Sequence, residues 1–275
     1  RAGLSELVKA SISGSIIGNI LLVLGLSMFV GGWGRHKQVF NRTRTGASSA
    51  MLFLAVVALV MPAVFDLAVF GTLERNTPEV ETISLLVSLV LIVTYLASLI
   101  FSLKTHQDVI TSVAVEERQP RLSRLNALLL LFMATGAVAL ESELLVESMS
   151  EAKAAFGMTE FFMGVIVVAV VGNAAEHSSA VLMARKDKME LAVTIAIGSS
   201  TQVALFVAPV LVFVSWLMGQ PMSIVFNIFE VVGITLSVLA LAIVSLDGES
   251  NWFEGLQLLA VYLVLAIVFY FVPAI

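Results

Sequence analysis

Not one of the 275 residues is cysteine, which removes disulfides and thiolate metal sites from consideration. Charge is scarce as well: 15 Lys and Arg and 20 Asp and Glu make up only 13% of the chain. A soluble domain of this length would spread far more charge over its surface. The net charge of −5 is small and scattered, so no nucleic-acid partner is expected. No Gly-x-x-x-x-Gly-Lys-Ser/Thr pattern is present, which leaves ATP-driven pumping unsupported. Glu176-His177 lacks the spacing of a zinc-protease His-Glu-x-x-His pair, and no Ser-His-Asp set can be defended from spacing. The chain is therefore expected not to be an enzyme and to need no cofactor.

What the chain has is hydrocarbon. Hydrophobic residues make up 59% of it and the mean hydropathy is +1.01. Several stretches exceed the roughly 18 apolar residues needed to cross a bilayer. Spanning segments must satisfy their own backbone hydrogen bonds, so they are predicted to be helices. Eight are predicted, at 4–33, 48–70, 80–103, 124–147, 159–184, 189–217, 223–246 and 253–272. The fold class is all-α, a polytopic membrane protein with the lipid bilayer as its first partner. The polar stretch from Lys104 to Ser123 divides three helices from five. The chain opens on Arg1 close to a membrane segment, without a visible leader, and is expected to begin inside a longer protein.

Basic residues alternate between loops. Arg35, Lys37, Arg42 and Arg44 occupy the first; Lys104, Arg118, Arg121 and Arg124 the third; Arg185, Lys186 and Lys188 the fifth. The positive-inside rule puts these loops in the cytoplasm and the C-terminus outside. The acidic Asp247–Ser250 loop falls on the same side, a mild exception. A cell membrane is expected.

One placement points past structure. Gly172-Asn173-Ala174-Ala175-Glu176-His177 follows an almost unbroken apolar run from Phe161 to Val171. A charge at bilayer depth costs roughly 2.5–3.5 kcal/mol, and such residues by default mark ion or proton pathways. A weak internal repeat accompanies it. With an offset of 184, Gly14-Ser15 falls on Gly198-Ser199, Leu21 on Leu205, Val23 on Val207 and Phe29 on Phe213. Weak inverted repeats are characteristic of secondary transporters. The repeat mate of Glu176 would precede Arg1.

Gly172-Asn173-Ala174-Ala175-Glu176-His177, then Gly198-Ser199-Ser200-Thr201-Gln202 and Ala208-Pro209, resemble the second signature repeat of the calcium/proton exchanger family, within the cation/calcium exchanger superfamily. Ser13-Gly14-Ser15-Ile16-Ile17-Gly18-Asn19 resembles the tail of the first, and Asp247 to Gly255 the segment before the last helix. The resemblance implies a leading helix followed by two inverted five-helix repeats. About eight of those helices would be present here: residues 1–103 as the last three of the first repeat, 104–123 as the cytoplasmic inter-repeat loop, and 124–275 as the second repeat. The N-terminal part would hold the first Gly-Asn-Ala-x-Glu motif, so the chain alone should not be competent.

The chemistry fits. Calcium takes six to eight oxygen ligands at about 2.3–2.6 Å. Glu176 offers one carboxylate, and Asn173, three residues earlier, shares its helix face. Ser199, Gln202, Ser15 and Asn19 offer further oxygens, and Gly14, Gly18, Gly172 and Gly198 let backbones approach. A carboxyl group taken out of water resists ionisation, and calcium reverses that preference. Each carboxylate then holds either a proton or calcium, which alternating access turns into antiport. Proton coupling is expected at Glu176, with His177 and Glu143 as further candidates. His177 points about 100° away around the helix.

Bland readings stand beside these. Glu176 can be a structural ion pair, Gln202 and Asn19 interhelical glue, His177 a donor to a backbone carbonyl, and Glu143 an interfacial residue. Asp66 and Glu230 are weaker candidates, and Lys9 either snorkels or salt-bridges. The last helix, with Trp252, Tyr262 and Tyr270, reads as lipid-facing anchorage. The leading expectation is export of cytoplasmic Ca2+ against H+, with Ca2+ as substrate. Sodium/calcium exchange is the nearest alternative, opposed by Gln202 where sodium-coupled relatives tend to place an acid. A calcium channel is less favoured, since no pore-loop pattern is visible. A homo-oligomer is left open.

Overall fold

In the computed structural model, residues 2–71, 77–105 and 123–273 are described. Helix follows helix: α1 (Ala2–Ile17), α2 (Leu24–Gly32), α3 (Arg42–Phe70), α4 (Pro78–Ile100), α5 (Arg124–Phe156), α6 (Glu160–Phe162), α7 (Ala169–Gly172), α8 (Ala174–Arg185), α9 (Met189–Gln202), α10 (Ala208–Leu217), α11 (Ile228–Val244) and α12 (Trp252–Tyr270). π-helical turns at Gly18–Val23, Met163–Val168 and Val203–Val207 join α1 to α2, α6 to α7 and α9 to α10. The only strands among the described residues, β1 (Gln38–Val39) and β2 (Glu249–Ser250), pair antiparallel.

Among the described residues six helices are long and apolar enough to cross a membrane, and the bent pair Glu160–Gly172 and Ala174–Arg185, counted as one span, makes a seventh. The remaining predicted segment, 223–246, is helical only over Ile228–Val244. Its first five residues are buried but not helical, and Asn227 caps the helix that follows. Local chemistry sets other starts too. Asn41 caps α3 by accepting from Arg44 N–H, Thr77 precedes Pro78 in α4, and Asn227 and Asn251 form capping boxes with Glu230 and Glu254. Helix α5 runs past the predicted residue 147 to Phe156, and its described side chains from Arg124 to Leu144 are all exposed.

The core lies where α1, α2 and the turn between them cross α9 and α12, with Ile17, Ile20, Leu21, Leu24, Met28 and Leu205 fully buried. Two contacts there admit no side chain. A Cβ on Gly14 would lie 2.0 Å from the Val165 carbonyl oxygen, and one on Gly255 would lie 2.3 Å from the Phe29 nitrogen. Small residues let helix backbones touch where lipid offers no hydrophobic drive. Gly18, Gly172 and Gly198 do not act this way, since a Cβ on each meets nothing within 4 Å among the described residues.

The connecting segments sort to two ends. At one end Lys37 meets Glu249 at 2.6 Å, Gln38 donates to Asp187 at 3.0 Å, and Arg44 meets Glu190 at 2.9 Å. The first, fifth and last described basic or acidic loops therefore share a face. At the other end Lys9, only 2% exposed, donates to Ser223 Oγ and to the Val225 carbonyl, both at 3.1 Å. Lys9 salt-bridges rather than snorkels: it lies 3.7 Å from Glu6 while satisfying polar groups of the irregular segment leading into α11. Ser84 accepts from Ile224 N–H beside it. Asp66 and Glu230 are buried too, Glu230 accepting from Ser13 Oγ at 2.9 Å. The last helix is not wholly lipid-facing, because Tyr262 and Phe269 are buried.

Candidate ion-binding site

Asn173 breaks the helix. Its φ of −104° and ψ of 12° leave the helical region, and the segments on either side bend by 59°. The sequence pattern predicts one continuous helix over 159–184, and this break is the main departure at the site. The Gly172-Asn173 pair is the signal that locates it, since glycine resists helix and asparagine hydrogen-bonds the backbone locally. A broken helix presents freed carbonyls on one side and a positive N-terminal end on the other. Glu176 sits in the first turn of that new N-terminus. The preceding π turn, Met163–Val168, packs against α1 through Gly14.

Across from the break stand two helices with matching defects. Shifted by 184 residues, the π turn Val203–Val207 falls within Gly18–Val23. The repeat thus preserves an unusual backbone feature as well as the Gly-Ser pair, and π turns gather at functional sites.

The side chains meet between these defects. Asn173 Nδ2 donates to Ser15 Oγ at 3.0 Å and to the Ala169 carbonyl at 2.9 Å. Asn19, 1% exposed, donates through Nδ2 to Ser199 Oγ at 3.0 Å, and Ser199 Oγ donates to Glu176. His177 Nε2 lies 3.2 Å from Asn19 Oδ1. That oxygen only accepts, so this contact requires the Nε2–H tautomer. His177 reaches the network around the far side of the helix, through Asn19. Donors therefore run in one direction from His177 through Asn19 and Ser199 to the Glu176 carboxylate.

Five of the expected ligands, Glu176, Asn173, Ser199, Ser15 and Asn19, thus converge with His177. Two expected residues do not. Gln202 is exposed at the end of α9 and holds no hydrogen bond to the cluster among the described residues. Glu143 is exposed on α5 and holds no hydrogen bond to the cluster among the described residues. Glu176 itself is exposed rather than enclosed. No group of three or more His, Cys, Asp or Glu able to hold a metal occurs among the described residues. One carboxylate with hydroxyl and amide oxygens offers ligand types that hard cations take, but is short of the charge of calcium. Glu116, Glu117, Arg118 and Arg121 lie outside the described residues.

The family model described as "Sodium/calcium exchanger protein" matches residues 1–104 and 126–271. The Ca(2+)/H(+) antiporter of Aphanothece halophytica is 43% identical over 290 residues, covering 100% of this chain and 77% of that protein. The Ca(2+)/H(+) antiporter ChaA of Bacillus subtilis is 44% identical over 275 residues, covering 98% and 77%. The solved structure of native YfkE superposes with a TM-score of 0.82 at 41% identity, over 99% of this chain and 77% of that one. Composition, bent helix, repeat-matched π turns and these likenesses agree, and the chain belongs to the sodium/calcium exchanger protein family.

Proposed function

We propose that this protein is a secondary active antiporter that exchanges cytoplasmic Ca2+ for H+ by alternating access. The Ca(2+)/H(+) antiporters it resembles support the ion pair. The observation that carries the mechanism is the hydrogen-bonded run from Asn19 through Ser199 to Glu176, drawn from both halves of the chain. Its oxygens take calcium when Glu176 is ionised. When Glu176 is protonated the carboxyl loses its attraction for the cation, and Ser199 needs only to rotate to accept the new O–H. Exclusive occupancy by proton or calcium is what couples the two fluxes.

Asn173 and Ser15 complete the near shell, and Gln202 joins only after a change of conformation. The second carboxylate is expected from the repeat-related motif outside this sequence. The integral multi-pass fold places the protein in a membrane; the cell membrane, with the basic loops inside and the C-terminus outside, is the reading we favour.

The test is calcium uptake by full-length protein in proteoliposomes under an imposed pH gradient, with a sodium gradient as control. Uptake is expected to follow the pH gradient, ignore sodium, and fall at least 100-fold in Glu176→Gln. Uptake driven by sodium would move the protein to sodium/calcium exchange. Flux that persists in Glu176→Gln would remove that carboxylate from the mechanism.

A further inference from the structure

At the end of the molecule where the basic loops gather, a cavity of about 580 Å³ opens between the last turns of α2 and α8. It is lined by apolar Phe29, Val30 and Trp33 and by Gly34, Arg35 and Arg185. We propose that this groove binds one anionic phospholipid, with the phosphate on Arg185 and an acyl chain on the apolar lining. The proposal does not depend on which ions the protein carries.

The apolar part is continuous. Leu22, Leu26, Phe29 and Val30 are half-buried and Trp33 is exposed, at spacings that put them on one side of the helical stretch leading into the cavity. The wall is held in place by rings: Phe29 and Trp33 lie edge to face at 5.4 Å, and Trp33 and Trp252 at 6.0 Å. Trp33 is nonetheless 67% exposed and Trp252 41%. Exposed tryptophans sit at headgroup depth, which places the rim level with lipid phosphates.

The charged part is unspent. Arg35 is committed to structure: its guanidinium donates to the Gly31 and Arg185 carbonyls and lies 3.6 Å from Asp187. Arg185 is exposed, and its guanidinium makes no hydrogen bond or ion pair among the described residues. Exposed Lys186 and Lys188 flank it, and the nearest acid, Asp187, is engaged by Arg35 and Gln38. Helix C-termini ordinarily repel anions through their free carbonyls. Here those carbonyls are taken: Gly32 by Arg35 N–H, Ala184 by Gln38, Leu182 by Lys186 N–H and Met183 by Lys188 N–H. A guanidinium fork matches a phosphodiester, and basic pockets between helices on the cytoplasmic side suit anionic headgroups. A choline headgroup would add a cation with no free acid to meet it.

The experiment is native mass spectrometry of the full-length protein titrated with phosphatidylglycerol or phosphatidylcholine of identical acyl chains. One phosphatidylglycerol is expected to bind at least ten-fold tighter than phosphatidylcholine. Arg185→Gln, an exposed change that leaves the thermal transition in phosphatidylcholine unmoved, is expected to bring it down to the phosphatidylcholine level. Trp33→Ala is expected to weaken both lipids. Equal retention of the two lipids by the unaltered protein, or an unchanged preference in Arg185→Gln, would overturn the proposal. So would equally tight binding of soluble glycerol phosphate, which would mark a free-anion site. A change in oligomeric mass in either variant at constant lipid retention would instead make the groove a subunit interface and equally overturn it.

Discussion

Ser199 is the residue through which the two halves of the chain speak to one carboxylate. It accepts from Asn19 on one helix and donates to Glu176 on another. Hydrogen bonds to charged groups contribute about 1.5–3 kcal/mol. Ser199→Ala is accordingly expected to raise the half-saturating calcium concentration about ten-fold, equivalent to about 1.4 kcal/mol, with little loss of maximal rate. Calcium-dependent uptake over a concentration series checks this. Asn19 carries a heavier structural duty, because it is almost wholly buried and contacts both Ser199 and His177. Its replacement by alanine strips a donor and an acceptor from a buried site, so a loss of about 1–3 kcal/mol of stability is expected, read as a lower melting temperature. Glu143, exposed on α5, is expected to tolerate glutamine with transport and its pH dependence unchanged.

Among the elements, the contact of α1 with the π turn at Met163–Val168 is the least forgiving. Gly14→Ala must push the Val165 carbonyl aside, an overpacking that costs roughly 1–3 kcal/mol and displaces Ser15 from Asn173. Gly46→Ala, in the open fifth position of α3, is expected instead to stabilise by about 0.5–1 kcal/mol, since nothing lies within 4 Å of its Cβ. Comparing the two melting temperatures separates steric from entropic effects of the same substitution. The break at Asn173 is likewise an element-level device. It converts one membrane helix into two half-helices whose ends face the candidate ion site, as discontinuous transporter helices do.

For the molecule as a whole, the loops after α2, after α8 and before α12 are tied at one end by Lys37–Glu249, Gln38–Asp187 and the β1–β2 pair. The absence of cysteine makes their sidedness directly measurable. Single cysteines at His36, Lys186 and Asp247 are expected to react with an impermeant thiol reagent from one face of the membrane, and one at Gln220 from the other. Labelling of position 247 from the same side as 220 would break the arrangement. Arg44 and Glu190 bind α3 to α9 at that same end. They come from segments far apart in sequence, so the contact is a cross-tie between halves.

How much of this was legible beforehand follows from what each kind of information is local to. Hydrocarbon content, helix length and caps act within a few residues, so composition and pattern determined the membrane class, the helical segments and the Asn173–His177 motif. The repeat offset also reached Ser199, which the structure bonds to Glu176, and Ser15, which it bonds to Asn173. Other features answer to partners distant in the chain. Lys9 is drawn inward because the Ser223–Val225 backbone needs donors. Phe269 is buried because Phe161 lies edge to face on it at 5.5 Å and α11 passes it at Gly233. Sequence pattern fixes which face of a helix is apolar, but helices in lipid pack by shape and polar contact, and only the assembled backbone shows which faces meet.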